Sequence, residues 1–150
     1  IELTGLSTRL GVPVRAKCEH LQPVGAFKIR GAYTAIARIP PKHRIHGVIT
    51  YSSGNHGQAV AFVARLLGVP AVVVMPERAP AIKVKGVRAQ GAEVVFAGTT
   101  SAERAERART IAGRPGKATA VETSTTGLIA GAASRNGRYC SPSRPGAWTR

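Results

Sequence analysis

Cysteine and long apolar runs are both scarce in this sequence. Its two cysteines, Cys18 and Cys140, lie far apart and in no metal-ligand spacing, so we expect free thiols and no metal site. No apolar run approaches the roughly 20 residues that a membrane-spanning helix needs. The chain begins at Ile1 without a basic-then-apolar leader. These absences predict a chain with no membrane partner and a cytoplasmic location.

Acidic residues are also few, at 7 against 22 lysines and arginines, and the formal net charge is +15. Such a charge favours a nucleic-acid partner. However, the arginines are scattered without a block of like charges. Aromatic residues make up only 5% of the chain and do not alternate with basic ones, as base stacking would require. We therefore expect no nucleic acid among the partners, and attribute the charge to compositional bias.

Repeated apolar patterns are typical of an α/β fold. Three apolar runs have the length of a strand: Val48–Tyr51, Ala71–Met75 and Ala92–Ala97. Helical periodicity follows each run, and the last helix begins with a capping-box spacing at Thr100 and Glu103. A Glu103–Arg107 ion pair is also expected on that helix. Alternating strands and helices over residues 47–112 predict a parallel, right-handed α/β unit.

The segments that flank this unit have weaker patterns. Residues 12–17 alternate apolar and polar side chains, which predicts a short strand. Apolar residues keep helical spacing from Lys28 to Ile39, and the prolines at 40 and 41 end that helix. From Gly113 onward Gly, Pro, Ser, Thr and Ala dominate without an apolar period, so we expect residues 113–150 to be irregular, disordered or out of family.

Two polar motifs lie at predicted helix starts. GAFKIRGA (25–32) puts Lys28 at the first of them, and SSGNHGQA (52–59) follows the strand at Val48–Tyr51. A neutral lysine amine is a nucleophile, although an isolated lysine in a first helical turn is more simply a surface residue. Small residues between a strand and a helix make either a plain turn or an anion site at the helix N-terminus.

Together the two motifs resemble those of pyridoxal-phosphate (PLP) enzymes of the tryptophan-synthase-β type, specifically the threonine/serine dehydratase and serine racemase branch. The family pattern K-x-E-x-x-Q-x-x-G-[SA]-F-K-x-R-G-A is matched from Lys17 to Ala32, and S-S-G-N-H-[GA]-Q from Ser52 to Gln58. Residues 68–95 resemble the family's next βαβ stretch. The resemblance covers roughly residues 6–112. It implies PLP as cofactor and a parallel-sheet, three-layer fragment of the tryptophan synthase β-like fold.

The resemblance also implies roles for individual residues. Lys28 would form a Schiff base with PLP and later move the α-proton of the substrate. Phe27 would pack near the cofactor ring, and Asn55 would hydrogen-bond its 3′-oxygen. Ser53 would act as an acid/base on the opposite ring face in a racemase. Backbone N–H groups of one loop would hold the substrate carboxylate, and its residues are Ser52, Ser53, Gly54, Asn55 and His56.

Structural alternatives remain open for several of these residues. His56 would more simply be a capping or packing residue than a proton donor, and Asn55 could be a bare turn residue. Gln58 and Arg30 would support local structure. Three parts of the family's site have no match in this sequence: the glycine-rich phosphate loop, the pyridine-nitrogen partner and the acidic cation ligands. Residues 127–134 (GLIAGAAS) contain glycines but lack the consecutive run of a phosphate loop.

The resemblance therefore implies a division of the chain and a reaction. Residues 1–46 would belong to the cofactor domain, 47–112 to a small domain with the asparagine loop, and 113–150 to the tail. The reaction would be the deamination of L-threonine or L-serine to a 2-oxo acid and ammonia. A serine racemase or related β-eliminase is the alternative enzyme, and a non-catalytic α/β fragment is the alternative of another class. We expect full-length relatives to be homo-oligomers, and this chain to be incomplete and weakly active or inactive.

Overall fold

The computed structural model describes residues 1–114, together with the backbone of residues 119–124 and 127–131. Two short 3₁₀ turns, Glu19–Leu21 and Pro23–Gly25, precede the second helix. The helices and strands, in chain order, are α1 (Thr4–Leu10), α2 (Lys28–Ala37), α3 (Pro41–Arg44), β1 (Val48–Tyr51), α4 (Asn55–Leu66), β2 (Ala71–Met75), α5 (Ala81–Arg88), β3 (Glu93–Phe96), α6 (Ser101–Ala112), β4 (Thr119–Ser124) and β5 (Gly127–Gly131).

The strands form one five-stranded sheet in the order β3-β2-β1-β4-β5. β1 pairs in parallel with β2 on one side and with β4 on the other, and β2 pairs in parallel with β3. Among the strand pairs of the part of the chain that the structure describes, β4–β5 alone is antiparallel. The predicted parallel α/β unit over 47–112 is confirmed.

Helices cover both faces of the sheet. Successive side chains of β1 point to opposite faces of the sheet. Val48 packs in a cluster with residues of α2, α4 and α5, and Ile49 packs in a second cluster with residues of α6. β2 divides in the same way, with Val73 on the first face and Val74 on the second. A strand that is buried on both faces needs apolar residues at every position, which explains the continuous runs in the sequence. The three-layer arrangement is therefore confirmed.

Two sequence predictions outside this unit are wrong. Residues 12–17 form no strand, because their pairing is limited to one isolated bridge between Glu2 and Arg15. Residues 119–124 and 127–131, expected to be irregular, are strands β4 and β5. β4 pairs with the edge of β1 over two residues and with β5 over five, so its conformation depends on hydrogen-bond partners outside its own segment. The other residues of the predicted tail, beyond Arg114, lie outside the part of the chain that the structure describes.

The start of α6 differs from the prediction in one contact. The capping box is present, since Thr100 Oγ1 accepts from the Glu103 backbone N–H and the Glu103 carboxylate accepts from the Thr100 N–H. The predicted Glu103–Arg107 pair is not among the ion pairs of the described residues, where α6 instead pairs Arg109 with Glu106. The Glu103 carboxylate is held by three donors of residues 99 and 100, which keeps it at the helix start.

This fold brings the two motifs together through their helices. α2 packs against α4 in the larger core cluster, with Ala32 and Ile36 fully buried. The second motif leaves the carboxyl end of β1, which lies between two parallel neighbours. In open parallel sheets, ligands bind outside the carboxyl ends of the strands. Separately, no helix among the described residues has both the length and the hydrophobicity that crossing a bilayer requires.

Candidate active site

Lys28 is the first residue of α2 and follows a turn with left-handed backbone conformation. Val24 and Gly25 both have positive φ, at 62° and 65°. This left-handed pair turns the chain before Ala26, which is buried, and Phe27, which remains 57% exposed. The Lys28 Nζ lies 5.0 Å from the centroid of the Phe27 ring. The motif thus presents an amine beside an accessible aromatic surface.

An ion pair between Glu19 and Arg30 connects the residues before the first motif with α2. Arg30 Nε donates to both carboxylate oxygens of Glu19, at 3.0 and 3.1 Å. The pair connects the first 3₁₀ turn with the first turn of α2, on either side of Lys28. This contact supports the structural alternative for Arg30.

The second motif forms the turn between β1 and α4. Ser52 Oγ accepts a hydrogen bond from the Gly54 backbone N–H at 3.1 Å, which closes the loop. Gly54 is the N-cap of α4, and no side chain caps the helix there. The first backbone N–H groups of a helix have no partner within it, so this helix start can receive an anion. The side chain of Ser53 is exposed on the same loop.

Gly57 is a packing requirement of this turn. A Cβ added there would lie 2.8 Å from Val73 Cγ1 and 3.2 Å from Ser52 Cβ, closer than side chains approach. The glycine therefore lets α4 lie directly on β2 and on the loop. The sequence alone does not distinguish the two glycines of SSGNHG. In the structure nothing lies within 4 Å of a Cβ at Gly54, so packing requires a glycine at position 57 and not at position 54.

His56 is held between the sheet and the first motif. Its Nε2 lies 3.0 Å from the Oγ1 of Thr50, which is buried on β1. Burial, and secondly the charge of Lys28, lower the pKa of His56 from 6.5 to about 4. The imidazole is therefore neutral at pH 7. The helices that carry the two residues, α2 with Lys28 and α4 with His56, pack against each other.

Asn55 has a partner that sequence reasoning missed. Lys83 Nζ, from the first turn of α5, donates to Asn55 Oδ1 at 2.7 Å. The same nitrogen lies 3.5 Å from Gln58 Oε1. Lys83 lies 28 residues from Asn55 and outside both motifs, so no local spacing pointed to it.

The structure places the predicted site residues at the starts of α2 and α4, which pack against each other, with two separate sets of contacts. Lys28 is linked to Phe27 and His56, and Asn55 is linked to Lys83. The contacts described for residues 1–114 include no direct one between Lys28 and Asn55. Within that same range, no group of three or more His, Cys, Asp or Glu side chains is close enough to hold a metal ion.

Comparison with known families gives a match over most of the chain. A family model described as pyridoxal-phosphate dependent enzyme matches residues 1–137. This match continues past residue 112, where the motif resemblance described under the sequence analysis ends.

Relatives with named activities match this chain over less than half of their own length. The L-threo-3-hydroxyaspartate ammonia-lyase of a Pseudomonas species is 46% identical over 111 residues, which are 74% of this chain and 35% of that protein. The L-threonine ammonia-lyase of Geobacter sulfurreducens is 54% identical over 92 residues, which are 61% of this chain and 23% of that protein. The chain thus spans about a third or less of the length of these relatives.

Solved structures match the fold in the same way. The structure of maize serine racemase superposes with a TM-score of 0.73 at 36% sequence identity, covering 79% of this chain and 36% of that one. The parallel α/β fold described above is therefore shared with a structure of known activity.

Proposed function

This chain belongs to the family of pyridoxal-phosphate dependent enzymes, and on that premise we propose that its site serves the deamination of a small hydroxy amino acid, L-threonine or L-serine. The observation that carries the proposal is that α2, which begins at Lys28, packs against α4, whose start has no side-chain cap. A covalent-link lysine and a carboxylate-binding helix start are what an amino-acid-converting site needs. The relatives named as ammonia-lyases support the reaction class.

The residues present fit PLP as the cofactor. Lys28 offers the amine for the covalent link, and Phe27, exposed beside it, offers an apolar surface for the ring. Lys83 occupies Asn55 Oδ1, so the Asn55 amide nitrogen is the atom left to donate to an oxygen of the ring. When bound, PLP supplies an electron sink for the carbanion that forms at the substrate Cα.

The side chains of the two motifs would then divide the work. First-turn N–H groups of α4 would hold the substrate carboxylate. This contact would direct the Cα–H bond of the substrate toward the lysine. Lys28 Nζ would take the proton from Cα as a general base, after which the β-hydroxyl departs. The hydroxyl would leave as water, and hydrolysis of the released enamine would give the 2-oxo acid and ammonia.

His56 has an orienting role in this proposal and no part in proton transfer. With its pKa lowered to about 4, the ring is a neutral imidazole at neutral pH, and its remaining N–H is a poor acid. Its contact with Thr50 fixes the first turn of α4 on β1, and thereby the direction of the helix N–H groups.

Lys28→Ala tests the covalent link. Incubation of the chain with PLP, reduction with borohydride and peptide mapping should find the cofactor on Lys28, and Lys28→Ala should lose that label and the visible absorbance of the lysine-bound cofactor. Lys85→Ala, which removes an exposed lysine of α5, is the matched control and should keep both. Labelling spread over surface lysines, unchanged in Lys28→Ala, would favour the non-catalytic α/β fragment instead.

Serine racemisation is the second candidate, supported by the match with maize serine racemase and by the exposed position of Ser53. In such a reaction the Ser53 hydroxyl would return a proton to Cα on the face opposite to the one that Lys28 serves. The two candidates differ in product. With L-serine, the lyase gives a 2-oxo acid and ammonia, whereas the racemase gives D-serine, and chiral chromatography separates these outcomes.

A further inference from the structure

Lys83 joins two helices at the candidate site. Its side chain leaves the first turn of α5 and reaches the first turn of α4, where Asn55 Oδ1 accepts at 2.7 Å. Gln58 Oε1, one turn further along α4, lies 3.5 Å from the same nitrogen. Lys83 is half-buried. Its ammonium is thus held at the site by two amide oxygens.

The chemistry of the two groups determines how the Asn55 amide is oriented. An ammonium has three donors and no acceptor, whereas an amide has an acceptor oxygen and a donor nitrogen at opposite ends. The end of Asn55 that faces Lys83 must therefore be its oxygen. The Nδ2 group then points away from Lys83, and residues 1–114 offer its two N–H donors no side-chain hydrogen bond. A free asparagine would be able to present either end.

Gly86 provides the space for this arrangement. It lies one turn beyond Lys83 on α5, and a Cβ added there would collide with Gln58 Nε2. A glycine inside a helix costs stability relative to alanine, because the unfolded chain has more freedom to lose. Because Gln58 Nε2 is the end of a flexible side chain, a Cβ at this position would displace Gln58 from its place beside Lys83.

We propose that Lys83 is a positioning residue of this site, which orients the Asn55 amide so that Nδ2 donates to the cofactor ring oxygen. The inference rests on the function proposed above. The positive charge also polarises the amide, which strengthens the hydrogen bond that Nδ2 donates. A rival explanation is that Lys83 attracts the anionic cofactor by its charge alone.

A double-mutant cycle in PLP affinity separates the two explanations. We expect Lys83→Met to weaken PLP binding roughly fivefold, the effect of losing one neutral hydrogen bond. In an Asn55→Ala background the same change should have no further effect, because Lys83 acts through Asn55. Lys83→Arg, which keeps a donor and the charge, should recover most of the affinity. Lys85→Met on the same helix is the control for charge.

The outcomes of this cycle are distinct. An equal loss on Lys83→Met with and without Asn55 would assign Lys83 to general electrostatic attraction and overturn the inference. Affinity unchanged in Lys83→Met would overturn it as well. If the wild-type chain forms no lysine-bound cofactor at all, the proposed function fails, and the orientation of Asn55 is decided by the measurement below.

The second measurement needs no cofactor. The side-chain NH₂ group of Asn55 gives a pair of cross-peaks in a ¹⁵N–¹H spectrum of the chain, assigned by their loss in Asn55→Ala. Lys83→Met should shift this pair, because the hydrogen bond to Oδ1 is removed, while Lys85→Met should leave it in place. Retained backbone cross-peaks show that each variant is folded. A pair that does not move in Lys83→Met contradicts the inference whatever the cofactor does.

Discussion

Among single residues, His56 gives the strongest example of an environment changing a side chain's chemistry. The ring is removed from water between α4 and β1, and Lys28 adds a positive charge nearby. Both effects disfavour the imidazolium, and burial is the larger. The residue is therefore neutral in the folded chain over a range in which a free histidine becomes protonated.

This shift predicts a pH dependence of stability. The pKa of His56 is about 4 when folded and 6.5 in the reference state, so the unfolded chain takes up the proton first as the pH falls. The stabilisation is complete above pH 6.5 and is lost between pH 6.5 and 4, with a total on the order of 3 kcal/mol. Urea unfolding of wild type and His56→Gln should show a difference in unfolding free energy that shrinks as pH decreases.

A matched variant controls that experiment. His46→Gln replaces a histidine on the surface in the same way, and accounts for the general effect of removing an imidazole. Comparing variants at each pH also cancels the titration of the acidic residues. A difference between wild type and His56→Gln that stays constant from pH 7 to 4.5 would show that burial does not perturb this ring.

At the scale of elements, the approach of α4 to the sheet depends on the absence of one side chain. We expect Gly57→Ala to lower the unfolding free energy by roughly 1–3 kcal/mol, because its Cβ would overlap Val73 in a packed core. Thermal or urea unfolding measures the change.

Gly31 is the matched control for that substitution, since it is also helical and nothing lies within 4 Å of its Cβ position. Gly31→Ala on α2 should raise stability by about 0.5–1 kcal/mol through helix propensity. If the two alanine variants changed stability equally, close packing of α4 on β2 would not be the reason for Gly57.

At the scale of the whole molecule, the chain spans 35% and 23% of two relatives named as ammonia-lyases. In the function proposed above, its described residues would supply a covalent link and contacts for the ring and the carboxylate. The sequence carries no consecutive run of glycines of the kind that cradles a phosphate. Catalysis depends on a fixed cofactor, because positioning accounts for about 7–11 kcal/mol of barrier lowering in favourable cases.

We therefore expect this 150-residue chain to hold PLP weakly and to deaminate threonine or serine no faster than free PLP. The measurement is 2-oxobutanoate formation from L-threonine, with Lys28→Ala and free PLP as baselines. Formation above both baselines that depends on Lys28 would mean that the chain holds the phosphate with residues not identified above.

Much of the fold and both motifs could be predicted from local sequence. β1, β2 and β3 follow from apolar runs, and the start of α6 follows from Thr100 and Glu103, because each rests on contacts between residues close in the chain. The positions of Lys28 and Asn55 at helix starts were predicted for the same reason.

Tertiary contacts decided the rest. β4 is a strand because β1 and β5 offer it hydrogen-bonding edges, and no pattern within residues 119–124 contains those partners. The low pKa of His56 needs the sheet beneath it, and the orientation of Asn55 needs Lys83 from another helix, 28 residues away. Burial and long-range hydrogen bonds arise only when distant segments pack, so these features of the site could be obtained only from the folded chain.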